Sequence, residues 1–245
     1  MRFWAHRGCS QRYPENTATA FERAAELTGL TGIETDVQRT RDGALVIIHD
    51  ERVDRTTDGT GWVKDYSLRE LQALRIGAGH GRSEHILTLD ELLDLLAPRL
   101  REGLLLNIEL KNSQVHYEGM EAELLELMHE KGLAEHIIYS TFYPRSLGVL
   151  NHLDPTASLA VLATNASDCL ILKKGLGNPD AIRAIHPYWR SIDLTPAELH
   201  GMTVRAWMSG HLYPEKPTGT KLDVHPLEQQ GITDIMMNEP EMYVE

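Results

Sequence analysis

Short apolar runs alternate with amphipathic stretches along the chain, and the period changes at each boundary. Phe3-Trp4-Ala5-His6 reads as a short strand, and Asn16 or Thr17 is placed to cap a helix running to about Leu27, which Gly29 closes. Gly32 to Val37 is the next strand. Asp42-Gly43, a hairpin-turn signal, then leads into the β-branched run Ala44 to Ile48, which ends on His49. Ser67 with Glu70, and Thr88 with Glu91, have capping-box spacing, the second opening a helix to Leu96. Beyond it, Leu104 to Leu110 reads as a strand and Gly119 to Lys131 as an amphipathic helix stopped by Gly132. Ile137 to Phe142, Ser158 to Ala163, Asp180 to His186, Thr203 to Met208 and Asp234 to Met237 follow as strands separated by helices or polar connections.

Without the hairpin arm, eight strands alternate with helical or polar segments. That alternation predicts a parallel sheet. Eight such units over 245 residues fit an α/β protein of the (β/α)₈ barrel type, which usually takes ~250 residues. The polar, turn-rich stretch from about Glu51 to Arg82 is expected as a small insertion after the second-strand hairpin, within a single domain spanning 1–245.

Composition narrows the partners. A net charge of −12 argues against nucleic acid, which calls for a basic face, and leaves no polybasic membrane patch. A mean hydropathy of −0.31, with no apolar run long enough to span a bilayer and no secretory signal pattern, gives the expectation of a cytoplasmic protein with no integral membrane segment. Cys9 and Cys169 lie far apart, so neither a disulfide framework nor a zinc site is expected.

The chemistry collects where strands end, which in a barrel is the active-site face. His6-Arg7 ends the first strand; Glu34 and Asp36 share one face of the second; Asn107, Glu109 and Lys111 share one face of the third. With Asp42-Gly43 as a two-residue turn, His49 pairs with Asp36; one residue off, it meets Glu34 diagonally or directly. Three carboxylates aimed at one volume repel, which protonation or a cation relieves, and an all-oxygen set suits Mg²⁺ or Ca²⁺. His6 and His49 would then be available for proton transfer. Taken singly, each piece has a plain structural explanation. A strand-end histidine more often makes a hydrogen bond, Glu-x-Asp often sits on a solvated face, Trp207 serves equally as core, and helix capping accounts for Asn16/Thr17. His186 ends a strand and could line the barrel mouth, though Pro187 offers a turn.

Co-occurrence in order changes the odds. His6-Arg7-Gly8, Pro14-Glu15-Asn16-Thr17, Glu34-Thr35-Asp36-Val37, Thr40-Arg41-Asp42-Gly43, His49-Asp50, Asp54-Arg55-Thr56-Thr57 and Glu109-Leu110-Lys111 together closely resemble the glycerophosphodiester phosphodiesterase family. The resemblance implies hydrolysis of a small-molecule glycerophosphodiester to glycerol 3-phosphate and an alcohol. It also implies His6 and His49 as the acid/base pair, Glu34, Asp36 and Glu109 as ligands of one divalent cation, Mg²⁺ or Ca²⁺, and Arg7 and Lys111 at the phosphate. Phe142, in a strand-end Ser-x-Phe, and Trp207 would line the substrate pocket. Lysophospholipase D or phosphatidylinositol-type cleavage on the same barrel, and non-catalytic phosphodiester binding, are the alternatives. Trp207-Met208-Ser209-Gly210, the polar loop Tyr213 to Val224 and Met237-Asn238-Glu239-Pro240 depart from the family pattern and bear on which alcohol is recognised.

Overall fold

The computed structural model describes residues 1–77, 84–176, 178–199, 201–208 and 219–245. His80, His200, His211, the Ser209-Gly210 pair and the first half of the loop Tyr213 to Val224 lie outside the described residues. In chain order the strands are β1 (Arg2–His6), β2 (Gly32–Arg39), β3 (Leu45–Ile47), β4 (Leu105–Leu110), β5 (Ile137–Thr141), β6 (Ser158–Leu162), β7 (Ala184–His186), β8 (Thr203–Trp207) and β9 (Asp234–Met237). All but β3 are parallel, in the ring order β1-β9-β8-β7-β6-β5-β4-β2, and β1 pairing with β2 closes it. The helices are α1 (Ala18–Ala25), α2 (Leu68–Gln72), α3 (Leu89–Arg101), α4 (Met120–Glu130), α5 (Pro144–Leu153), α6 (Ala166–Gly175) and α7 (His225–Gln229). The chain is therefore a (β/α)₈ barrel, with β3 as an antiparallel arm on the end of β2.

Strand alternation sorts the two faces of the barrel wall. Ile33 and Val37 of β2, and Leu106, Ile108 and Leu110 of β4, join the apolar layer under the helices. Glu34 and Asp36, with Asn107 and Glu109, take the alternate positions, and the pairing of β2 with β4 sets Glu34 beside Asn107 and Asp36 beside Glu109. At the N-terminal end Trp4 fills the interior completely buried, its Nε1 donating to Asp234 Oδ1 at 2.9 Å. Gly32 makes room for that ring: a Cβ there would lie 2.2 Å from Trp4 Cζ3 and 2.7 Å from the Leu105 carbonyl oxygen.

The apolar side chains of the insertion pack mainly on the arm. Val53, Val63, Leu71 and Ile76 join Val46, Ile48 and Ile86 in a second, smaller apolar cluster. Both expected capping boxes form, at Ser67 with Glu70 and at Thr88 with Glu91.

Several expectations need correcting. The hairpin turn is one residue longer than Asp42-Gly43 alone: Thr40 N–H donates to Ala44 O, Gly43 N–H to Thr40 O, and Val37 pairs with Ile47. Asp36 thus lies beside Ile48, whose N–H donates to its carbonyl, and not opposite His49. The sixth barrel strand, β7, is only Ala184–His186, because Pro179–Ala181 forms a 3₁₀ turn instead of extended chain. The third helix runs past Leu96 and through Pro98 to Arg101, and α1 stops at Ala25, short of Leu27.

The Trp4–Gly32 fit can be measured. Gly32→Ala is expected to destabilise the protein by roughly 1–3 kcal/mol, the scale of overpacking in a filled core. Gly175→Ala, where an added Cβ meets nothing within 4 Å, should be neutral or slightly stabilising. Urea unfolding of both variants checks this, and equal stability of the two would refute the packing argument.

Candidate active site

Glu34, Asp36 and Glu109 are all buried and can place one carboxylate oxygen each within 4.8 Å of one another. Their neighbours set each apart. Glu34 is pushed well above the usual carboxylate range by burial and then by the adjacent Asp36 charge. Glu109 is also raised by burial, with Lys111 opposing and Asp36 reinforcing the rise. Asp36 is buried too, but the charges of His49, Arg7 and Lys111 and a hydrogen bond from Asn16 outweigh desolvation and hold it below the usual range.

Two cations hold the cluster. Arg7 Nε lies 3.4 Å from Asp36 Oδ2, and its Nη1 donates to Glu15 Oε1 at 2.8 Å. Lys111 Nζ donates to Glu109 Oε1 at 3.0 Å and stands 3.9 Å from Asp36 Oδ1. The Arg7 backbone has φ 59°, a left-handed conformation that a non-glycine residue adopts at a cost of about 1–3 kcal/mol. In return its N–H reaches both the Glu34 carbonyl, at 2.9 Å, and the Glu34 carboxylate, at 3.1 Å. Asn16, at φ 58°, is similar: its amide donates to Asp36 Oδ2 at 2.9 Å and its Oδ1 accepts from Thr35. Helix capping therefore does not account for Asn16. Thr17 is the cap of α1, and Asn16 orients a site carboxylate.

The two histidines differ in the acceptor that each Nδ1 meets. His6 Nδ1 meets Asn238 Oδ1 at 2.8 Å; since that oxygen only accepts, the proton is on Nδ1 and Nε2 carries a lone pair, 3.8 Å from Glu34 Oε2. Burial, with Arg7 adding to it, lowers the His6 pKa to about 3, so the ring is neutral. His49 Nδ1 instead lies 2.6 Å from the Asp50 carboxylate, a full negative charge where His6 has only an amide oxygen. Asp50 is itself held by two hydrogen bonds from Arg55, and Arg55 makes two more to Glu15. A continuous run of polar contacts, Arg7–Glu15–Arg55–Asp50–His49, thus joins the first strand end to the hairpin end. Below it, the buried Gln38 Nε2 lies within 3.2 Å of the carbonyl oxygens of Ile48, His49 and Asp50 and fixes the backbone that carries the imidazole.

These groups open on one pocket of about 430 Å³, whose walls include His6, Arg7, Glu34, His49 and Glu109 on one side and Phe142, Leu162, His186, Trp207 and Met236 on the other. Phe142 is 39% exposed at the rim, its ring edge toward Trp207 at 6.3 Å between centroids. Every residue named from sequence thus bears on this volume: Asp36 and Lys111 through contacts with Arg7 and Glu109, the others by lining it. A reading by residue type passed over Glu15, Gln38, Arg55 and Asn238, and set Asn16 aside as a capping residue. Their signal was proximity in the fold, and only the tight spacing of Pro14-Glu15-Asn16-Thr17 and Asp54-Arg55-Thr56-Thr57 hinted at it.

The donor set fits a hard divalent cation. Its members are oxygen-only, and Asp36 Oδ1 and Asn107 Oδ1 are buried with no hydrogen-bond partner. Carboxylates this close remain charged together only with positive charge among them.

The model of the glycerophosphoryl diester phosphodiesterase family matches residues 6–241. A glycerophosphodiester phosphodiesterase of Caldanaerobacter subterraneus subsp. tengcongensis is 34% identical over 98% of this chain and 95% of its own length. One of Bacillus subtilis is 31% identical over 98% of this chain and 84% of its own. Among solved structures, a phosphodiesterase of Oleispira antarctica in complex with the product sn-glycerol-3-phosphate superposes with a TM-score of 0.77 at 25% identity, over 99% of this chain and 94% of that one. The barrel, the charged strand ends and these matches over nearly the full length agree, and the chain belongs to the glycerophosphoryl diester phosphodiesterase family.

Proposed function

We propose that this protein hydrolyses glycerophosphodiesters to sn-glycerol 3-phosphate and an alcohol, with His6 as general base, His49 as general acid and one divalent cation, Mg²⁺ or Ca²⁺, at Glu34, Asp36 and Glu109. The observation that carries the reading is the pair of imidazoles in different settings on one pocket: His6 neutral with its Nε2 lone pair 3.8 Å from the carboxylate cluster, and His49 against the Asp50 carboxylate. The names borne by the full-length relatives and the product held by the Oleispira structure support the substrate class.

When bound, the cation would polarise a phosphoryl oxygen as a Lewis acid. The chain's own groups do the rest. Arg7 and Lys111 face the charge that grows on the equatorial oxygens. His6 Nε2 takes the proton of the attacking oxygen, and His49, its imidazolium stabilised by Asp50, protonates the departing alkoxide. A glycerophosphodiester carries its own nucleophile, the hydroxyl beside the esterified carbon. Well-oriented intramolecular attack can remove ~7–11 kcal/mol of barrier, so the proposed first product is a five-membered cyclic phosphate. The same two histidines, roles exchanged, then open it with water.

Metal dependence has a stability signature as well as a kinetic one. Chelation should abolish turnover, and Mg²⁺ or Ca²⁺ should restore it. Without metal, Glu34→Gln and Glu109→Gln should hold or raise the melting temperature, because burial already disfavours both charges. The sequence alone suggests the same for Asp36→Asn. The ion pairs of Asp36 with Arg7 and Lys111 reverse that expectation: ionised Asp36 stabilises the fold, and Asp36→Asn should lower the melting temperature. A uniform fall across all three variants, or full activity in excess chelator, counts against a cation site.

His6→Ala and His49→Ala should each reduce kcat by roughly 10²–10⁴, the range for general acid–base groups. The double variant should lose less than the product of the two. Unchanged kcat in either single variant removes that histidine from the reaction.

Intramolecular attack separates from direct attack by substrate. An analogue lacking the 2-hydroxyl should bind but turn over at least ~10²-fold more slowly, reflecting lost proximity. The cyclic phosphate should be hydrolysed at a competent rate. Equal cleavage of the deoxy analogue would leave water as the nucleophile.

A further inference from the structure

His186 lines the reaction pocket on the wall opposite the carboxylates, yet no step above uses it. It is 1% exposed, at the end of β7. The pairing of β7 with β8, Ala184 with Thr203 and Ile185 with Val204, continues to set His186 beside Arg205. Arg205 Nη1 lies 2.6 Å from His186 Nε2. A guanidinium only donates, so Nε2 must accept, and the ring is neutral with its one proton on Nδ1. Arg205 cannot turn away: it is 4% exposed, its guanidinium stacks 4.2 Å from the Trp4 centroid, and its Nε faces Asp234 Oδ1 at 3.6 Å. Burial and the Arg205 charge hold His186 far below its ordinary pKa and keep the ring neutral, while the Arg205 contact keeps its one proton on Nδ1. Among the described residues none accepts the Nδ1 proton. A fixed donor therefore stands on a wall shared with Phe142, Leu162, Trp207 and Met236, with Ser140 also lining the pocket.

We infer that the His186 Nδ1–H donates to the terminal hydroxyl of the substrate's glycerol group, making His186 the residue that selects glycerol over shorter or deoxygenated diols. The inference rests on the proposed glycerophosphodiester reaction and goes one contact beyond it. One substituent of the phosphodiester has to lie against this enclosed wall while the other leaves through the rim. The alcohol differs from one glycerophosphodiester to another, so a single rigid donor cannot serve it. The glycerol group is constant. Of its two hydroxyls, one is taken up in the attack on phosphorus, on the carboxylate side, which leaves the terminal one for the far wall. Arg205 and the Asp234–Trp4 pair beneath it are the positioning groups.

The test pairs two substrates with two variants of the full protein. The substrates are glycerophosphocholine and its analogue with a methyl group in place of the terminal hydroxymethyl, which keeps the 2-hydroxyl. The unmodified enzyme should prefer the parent by about 10-fold or more in kcat/KM, the scale of a buried donor left unpaired. His186→Leu should cut kcat/KM on the parent by a similar factor and show no preference between the two. His186→Gln, which can accept from Arg205 and still donate, should keep much of the preference. The leucine variant leaves Arg205 without its acceptor, so ¹⁵N imidazole NMR of the unmodified protein gives an independent reading. The Nδ1-protonated tautomer should persist from pH 5 to 9, and glycerol 3-phosphate, but not its 1-deoxy analogue, should shift the Nδ1 resonance. A preference that survives in His186→Leu, or an unmodified enzyme that cleaves both substrates equally, overturns the assignment alone. No cleavage of any glycerophosphodiester overturns the reaction, and this assignment with it.

Discussion

Three carboxylates whose oxygens approach within 4.8 Å in a buried pocket are the constraint around which this protein is built. Like charges that close in a medium of low dielectric repel strongly, and a fold that brings them together must supply compensation. Part of it comes from within: Arg7 and Lys111 against Asp36, and Lys111 against Glu109. That settles Asp36 as the ionised member and leaves Glu34 and Glu109 with carboxylates that burial disfavours. The remaining deficit is the affinity a divalent cation would draw on. An empty cluster fully neutralised by lysine and arginine would have little left with which to bind one.

The same constraint gives the insertion a part in the chemistry. Arg55 lies beyond the hairpin, outside the barrel, yet it links Glu15 to Asp50 by four hydrogen bonds. Glu15 in turn restrains Arg7, and Asp50 meets the His49 ring. The small apolar cluster of Val46, Val53, Val63 and Leu71 thus serves a purpose beyond its own packing. It seats Arg55 where one guanidinium holds both the Glu15 that pairs with Arg7 and the Asp50 that meets the His49 ring. The pairs are half-exposed at Arg55, so their value lies in geometry more than in stability.

The barrel could be read from eight strands alternating with helical or polar segments, and the facing of the candidate site's strand residues from period 2. Once Gly32 to Val37 and Leu104 to Leu110 are strands, Glu34, Asp36, Asn107 and Glu109 must share the inner face, whatever the details of packing. The hairpin register could not be read the same way. A turn beginning at Thr40 in place of Arg41 moves every partner by one, and Asp42-Gly43 is compatible with both. Asp180 to Ile182 has strand-like composition, but Pro179 and the neighbouring turn override it. Asn16, Gln38 and Asn238 were the hardest to see. Their function is a hydrogen bond to a group far off in sequence, and an amide side chain carries no local pattern that announces one.

The barrel interior also explains how a site this polar coexists with a stable fold. Its N-terminal level is not apolar either: Trp4, Arg205 and Asp234 occupy it, with Arg2 closing the Asp234 carboxylate from outside. There every charge has a partner and the tryptophan ring excludes water, so the level acts as a rigid plug. The level above keeps buried atoms without partners, at Asp36 Oδ1 and Asn107 Oδ1. Unpaired buried polar groups cost stability and are retained where a ligand completes them. Arg205 joins the two levels, anchored below by Asp234 and Trp4 and dictating above which nitrogen of His186 carries the proton. Paired charges at the lower level are what allow the upper one to stay incomplete without collapsing.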